Sequence, residues 1–141
     1  MAGTSALGGY MMAQTATFAV TATQAGTVNA VLGTIYVPNN AIIHDVIVAV
    51  TDMDDGATGL IDVGDSSGPA TADDNRFIAG FSIQAAGNHA AAASGNLLED
   101  KVYAYVNSDA QTEQGIEVTV NTAAATGAAG TITMTVVYHA P

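Results

Sequence analysis

Period-two alternation of apolar and polar residues dominates the chain. In KVYAYVNS (101–108), Val102, Ala104 and Val106 share one face, and Tyr103 and Tyr105 the other. In GIEVTVN (115–121), Ile116, Val118 and Val120 oppose Glu117 and Thr119. In TITMTVVYH (131–139), Ile132, Met134, Val136 and Tyr138 oppose three threonines and Val137. Such alternation predicts half-buried strands with the apolar face inward, built from residue types that strands favour. Five earlier strands are predicted at 15–22, 28–37, 42–51, 58–64 and 76–83. Turn signals separate them: Gln24-Ala25-Gly26, Pro38-Asn39-Asn40, Asp54-Asp55-Gly56, Ser66-Ser67-Gly68-Pro69 and Asn75. About eight antiparallel strands at this spacing predict an all-β fold, a β-sandwich of jelly-roll type.

Three segments fall outside that pattern. Residues 84–96, QAAGNHAAAASGN, predict a mobile loop or short turn, because Gly87 and Gly95 bracket the alanines. Residues 122–130, TAAATGAAG, read as a hairpin tip. Residues 1–13 place Leu7, Tyr10, Met11 and Met12 among glycines and read as an apolar N-terminal arm, ordered by a partner or by the flank of its own domain. The expected organisation is an arm over 1–13 and a single β-sandwich domain over 14–141.

Composition narrows the function. The chain has 141 residues, 49% of them apolar, enough for one domain with a core rather than a disordered segment. Thirteen acids face two bases, Arg76 and Lys101, for a formal net charge of −11. So few cations cannot neutralise phosphates, so no nucleic-acid partner is expected, and an anionic membrane would repel the chain. No segment reaches the ~18 consecutive apolar residues of a membrane span. There is no cysteine, which removes disulfides, thiolate metal sites and thiol nucleophiles. The first fifteen residues lack the basic segment and apolar core of a secretory signal peptide.

Eight of the acids lie between Asp45 and Asp74. Asp52-Met53-Asp54-Asp55-Gly56 partly matches the opening of a calcium loop, and Asp52, Asp54 and Asp55 are its candidate ligands. Counted from Asp52, however, the fifth position is Gly56 and the twelfth Val63, where an EF-hand needs oxygen ligands. The stronger reading is a hairpin turn between two strands, with aspartates bonding the local backbone and Gly56 or Gly59 taking positive φ. A glycosidase pair of carboxylates would need one raised pKa, and acids at a solvated loop tip are poorly suited to that. His44, His89 and His139 form no metal-binding spacing, and His44 and Asp45, adjacent in a strand, should face opposite ways. Neither a nucleophile elbow nor a phosphate-binding loop is present. Arg76 is expected to pair with Asp73, Asp74 or an acid of a neighbouring subunit. No cofactor and no catalytic residue are expected.

One stretch is familiar as a whole. V-P-N-N-A-I-I-H-D-V-I-V-A-V-T (37–51), D-D-G-A-T-G-L-I-D-V-G-D (54–65) and D-D-N-R-F-I-A-G-F (73–81), with the closing G-T-I-T-M-T-V-V-Y-H (130–139), resemble small virion structural proteins of tailed bacteriophages. The resemblance implies a head decoration (cement) protein, without catalytic residues. Such a protein clamps the major capsid protein lattice from the outer capsid surface, as a dimer or trimer. Leu7, Tyr10, Met11, Met12 and Arg76 are then the candidate partner-binding residues. A tail, baseplate or fibre-associated protein, or a carbohydrate- or calcium-binding module, are the competing readings.

Overall fold

The computed structural model describes residues 10–38, 41–56, 58–65, 73–90, 103–104 and 113–140. Nine strands and one helical turn follow in order. They are β1 (Met11–Val20), α1 (Ala22–Ala25), β2 (Val31–Pro38), β3 (Ile42–Val50), β4 (Leu60–Asp65), β5 (Asp73–Ser82), β6 (Gly87–Ala90), β7 (Tyr103–Ala104), β8 (Glu113–Thr122) and β9 (Gly130–His139). All pairings are antiparallel and fall into two sheets. One runs β1-β9-β3-β6, with β7 also on β3; the other runs β2-β8-β4-β5.

The predicted alternation sets the core. Ile132, Met134, Val136 and Tyr138 of β9 and Val46, Val48 and Val50 of β3 are buried from one sheet. Ile61, Val63, Phe77, Ile116, Val118 and Val120 meet them from the other. Each side chain of this size contributes about 1.5–3 kcal/mol when fully buried, which makes this interleaved layer the main source of stability.

Several connections differ from the sequence reading. Residues 123–129 are no hairpin tip: β8 lies in one sheet and β9 in the other, so this segment crosses the sandwich. The Asp54-Asp55-Gly56 link is likewise a crossing, from β3 to β4. Alternation reports which side of a strand is buried but not which sheet the strand joins. Among the described residues, β4 and β5 are the only consecutive strands that form a ladder with each other. Gly87–Ala90, read as loop, is β6, because pairing with Ile47–Val50 of β3 overrides its poor strand propensity. Residues 91–96 lie outside the described residues, as do most of 101–108.

The β1–β2 link holds a helical turn at the predicted Gln24–Gly26 turn. Thr21 caps it, bonding the Gln24 amide, while the Gln24 side chain bonds back to the Thr21 backbone. Beyond it the two sheets close tightly. A Cβ built on Gly33 of β2 would lie 2.3 Å from the Phe18 ring of β1. Glycine is therefore required there to let the aromatic ring seat between the sheets.

Gly33→Ala should destabilise the fold by about 1–3 kcal/mol, read as a lower denaturant midpoint. In a Phe18→Ala background the same change should cost much less. Equal penalties in both backgrounds would show that the contact does not matter.

Candidate functional site

Asp54 is the focus of the acidic knot, and it is buried. Its Oδ1 accepts from the backbone N–H of Gly56 (2.8 Å) and Thr126 (3.1 Å). Its Oδ2 accepts from Gly59 (2.7 Å) and Thr58 (3.2 Å). A carboxylate has about four lone-pair sites, so this one is filled by backbone donors. A Cβ at Gly56 or Gly59 would sit 2.9 or 3.0 Å from those oxygens, so both glycines serve close approach. Neither takes the positive φ expected for it; among the described residues only Asn29 and Gly80 do. Burial by itself would raise the Asp54 pKa, but the bonds from Thr126, Gly59, Gly56 and Thr58 outweigh it and lower the value from 3.8 to about 2.

Of the candidate cation ligands, Asp54 is thus filled by backbone donors. Asp52 accepts from the Asp54 amide at 3.2 Å, and Asp55 is exposed. Among the described residues no three acidic or imidazole side chains converge as a metal site would need. The knot is a clasp between the two crossings. Asp54 bridges to Gly127, the Asp55 amide bonds the Thr126 carbonyl (3.1 Å), and the Ala128 amide bonds the Met53 carbonyl (2.9 Å).

Two further acids are buried in the β2-β8-β4-β5 sheet, Asp62 on its outer face and Asp65 opposite the core residue Ile116 at the end of β4. Asp62 accepts from the Gly80 amide and the Asn121 side chain, both at 2.7 Å. Gly80, at φ +66°, sits where β5 bulges against β4. Asp65 accepts from Arg76 Nε at 3.0 Å across the β4–β5 hairpin. The sequence had offered Asp73, Asp74 or an acid of a neighbouring subunit as partners; the β4–β5 pairing brings Asp65 to Arg76 as well, and the side chains of Asp73 and Asp74 lie outside the described residues. Glu117 lies on the same outer face as Asp62, bonded by Thr34 at 3.3 Å.

The outer face of the other sheet is nearly uncharged. Thr15 pairs with Thr135 and Thr17 with Thr133, hydroxyl to hydroxyl at 2.8 Å, among alanines, Val137 and Ile47. Asp45 is the one acid there among the described residues. His44 and Asp45 do not point to opposite faces. The ladder to β9 slips between Ile43 and Asp45, both Ile43 and Val46 are buried, and the two residues between them turn outward. There the His44 ring meets His139 edge to face, centroids 4.6 Å apart, with a hydrogen bond between ring nitrogens. No spacing in the sequence announced this pair, since 95 residues separate its members. His89, on β6, stacks on Phe81 at 5.2 Å.

Of the partner-binding candidates, Tyr10, Met11 and Met12 are 85%, 60% and 45% exposed, and Met11 and Met12 open β1 rather than preceding the sandwich. Leu7 lies outside the described residues. Arg76 is engaged by Asp65 and sits on the opposite sheet. The exposed residues that the sequence reading missed are Tyr36, Val31 and Val28, along β2 and its approach. An open groove of about 310 Å³ between β1 and β2 is lined by Gln14, Thr15, Ala16, Thr34, Ile35 and Tyr36.

No known family and no curated protein matches the sequence. The fold defines a two-sheet, all-antiparallel sandwich. Among solved structures it is similar to a chain in the capsid of Ralstonia phage GP4, at 27% identity and a TM-score of 0.67 over 92% of this chain and 85% of that one. It is also similar in fold to a chain in the capsid asymmetric unit of cyanophage Pam1, at 17% identity and a TM-score of 0.60 over 94% and 86%.

Because the folded-state pKa of Asp54 is depressed, its contribution is present above about 3.8 and is lost as pH falls through about 2. The melting temperature should fall across that window. Asp54→Asn should lower the melting temperature at neutral pH and flatten its acid dependence, whereas Asp55→Asn should change neither. Identical acid profiles for the wild type and Asp54→Asn would refute the clasp.

Proposed function

We propose that the chain is a non-enzymatic structural protein of a tailed-phage virion, acting as a capsid decoration (cement) protein. In this reading it binds the outer surface of the major capsid protein lattice and stabilises the head. The observation that carries the reading is the likeness over nearly the whole chain to a chain of a phage capsid. That chain is only slightly longer, since the shared region covers most of both. The strand order supports a jelly roll. β1-β9-β3-β6 facing β2-β8-β4-β5 is an order that two interlocked Greek keys would give, an architecture found in viral capsid domains.

Charge favours the outside of the shell. A chain of net charge −11, with Arg76 already paired to Asp65, is repelled by packaged polyphosphate and gains nothing from facing it. On the exterior the same charge keeps particles apart. Binding would use the uncharged surface and the apolar residues Tyr10, Met11 and Met12, with Leu7 beside them in sequence. Many copies would multiply a modest contact, aided by self-association as a dimer or trimer.

Quantitative mass spectrometry of purified virions tests this reading. A ratio near one copy per few major capsid subunits, with electron microscopy placing the density on the head exterior, is the expected result. Particles lacking the protein should lose their contents at a lower temperature than complete ones. A handful of copies at the tail would move the protein to the baseplate or fibres. Its absence from virions would refute the proposal.

A further inference from the structure

The exposed sheet edges are not alike. A free edge is a template for pairing, and natural sheets blunt their edges with shortness, proline, bulges or charge. β6 is four residues long. β2 slips register between Val31 and Gly33 and ends in Pro38. β5 slips register twice against β4, contains Gly80 at φ +66° and carries Arg76. β1 has none of these devices. Its ten residues, MMAQTATFAV, run in unbroken register with β9, without proline, bulge or ionisable side chain. Among the described residues no strand pairs with its other side.

We propose that the free edge of β1 pairs antiparallel with β1 of a second copy about a twofold axis, joining two β1-β9-β3-β6 sheets into one. This inference does not rest on the capsid reading. Three observations select a second copy. First, a strand paired antiparallel with itself closes the β1 edges of both copies in one isologous contact. Second, two chains of net charge −11 repel each other, and the β1 edge is where approach meets least opposition. The buried acids Asp62 and Asp65 lie in the other sheet, and among the described residues the face beside β1 is threonine and alanine. Third, β1 is incompletely covered on its inner side. Gln14, Ala16 and Phe18 point between the sheets yet remain partly accessible, beside the open groove against β2. Antiparallel overlap brings the exposed Met11–Met12 end of one copy to the Phe18–Val20 end of the other and covers both.

Sedimentation of the full chain should show a species of twice the 14.1 kDa chain mass, favoured by higher concentration and by added salt, which screens the repulsion. Ala13→Glu with Ala19→Glu, at exposed positions of β1, should weaken the association by about tenfold or more, with the far-UV spectrum retained. Since the chain has no cysteine, single cysteines at Gln14, Thr15 and Ala16 in turn give a second reading. At least one should form a disulfide-linked dimer on oxidation, and a cysteine at Thr119, on the other sheet, should not. A monomer at all concentrations, a trimer, or a dimer indifferent to the glutamates would overturn the proposal. So would β1 amides protected from exchange in a monomer until residues 1–9 are removed, because the chain's own N-terminus would then cover the edge.

Discussion

Three of the links between the sheets meet at one end of the sandwich, and the Asp54 carboxylate ties two of them together. The β3–β4 crossing wraps it with the amides of Gly56, Thr58 and Gly59, and the β8–β9 crossing adds Thr126. The α1 turn of the β1–β2 link closes against the same segment: the Ala124 amide bonds the Ala25 carbonyl, and Gly127 passes too close to Ala22 for any side chain. A buried carboxylate is costly unless its oxygens are satisfied, and buried amides are costly unless they find acceptors. Here each solves the other's problem. The strands can then cross between sheets without leaving backbone groups orphaned.

The same economy explains where the remaining acids sit. Asp62 and Asp65 satisfy a bulged glycine amide, an asparagine and an arginine on the β2-β8-β4-β5 side. Among the described residues, Asp45 is then the one acid on the face beyond β1 and β9. That asymmetry matters for assembly. Coulomb repulsion between like-charged subunits falls with distance and screening, so contact is easiest through the neutral face and edge, with the other sheet held away. The apolar side chains exposed at the start of β1 lie on that neutral sheet.

The histidine pair and the β1 edge belong to the same surface. His139 stands opposite Met11 in the β1–β9 ladder and beside His44 across β9. Its neighbours come from three strands distant in sequence, which is why no local spacing revealed it.

The sequence by itself determined the class of the fold and most of its core. Alternation in 115–121 and 131–139 marked Ile116, Val118, Val120, Ile132, Met134, Val136 and Tyr138 as inward, because pleating sends successive side chains to opposite faces. Composition likewise determined the charge, the lack of thiol chemistry and the poor fit to phosphates. Tertiary structure decided everything that requires knowing which sheet a strand joins. It turned the Asp54 and 122–130 turns into crossings, drew Gly87–Ala90 onto β3 as a strand, and brought Asp65 to Arg76 across a hairpin. It also made Asp54 an acceptor at the centre of a clasp, where sequence offered a solvated turn residue. A period of two records burial on one face, and it carries no information about long-range pairing, bulges or the geometry of a corner.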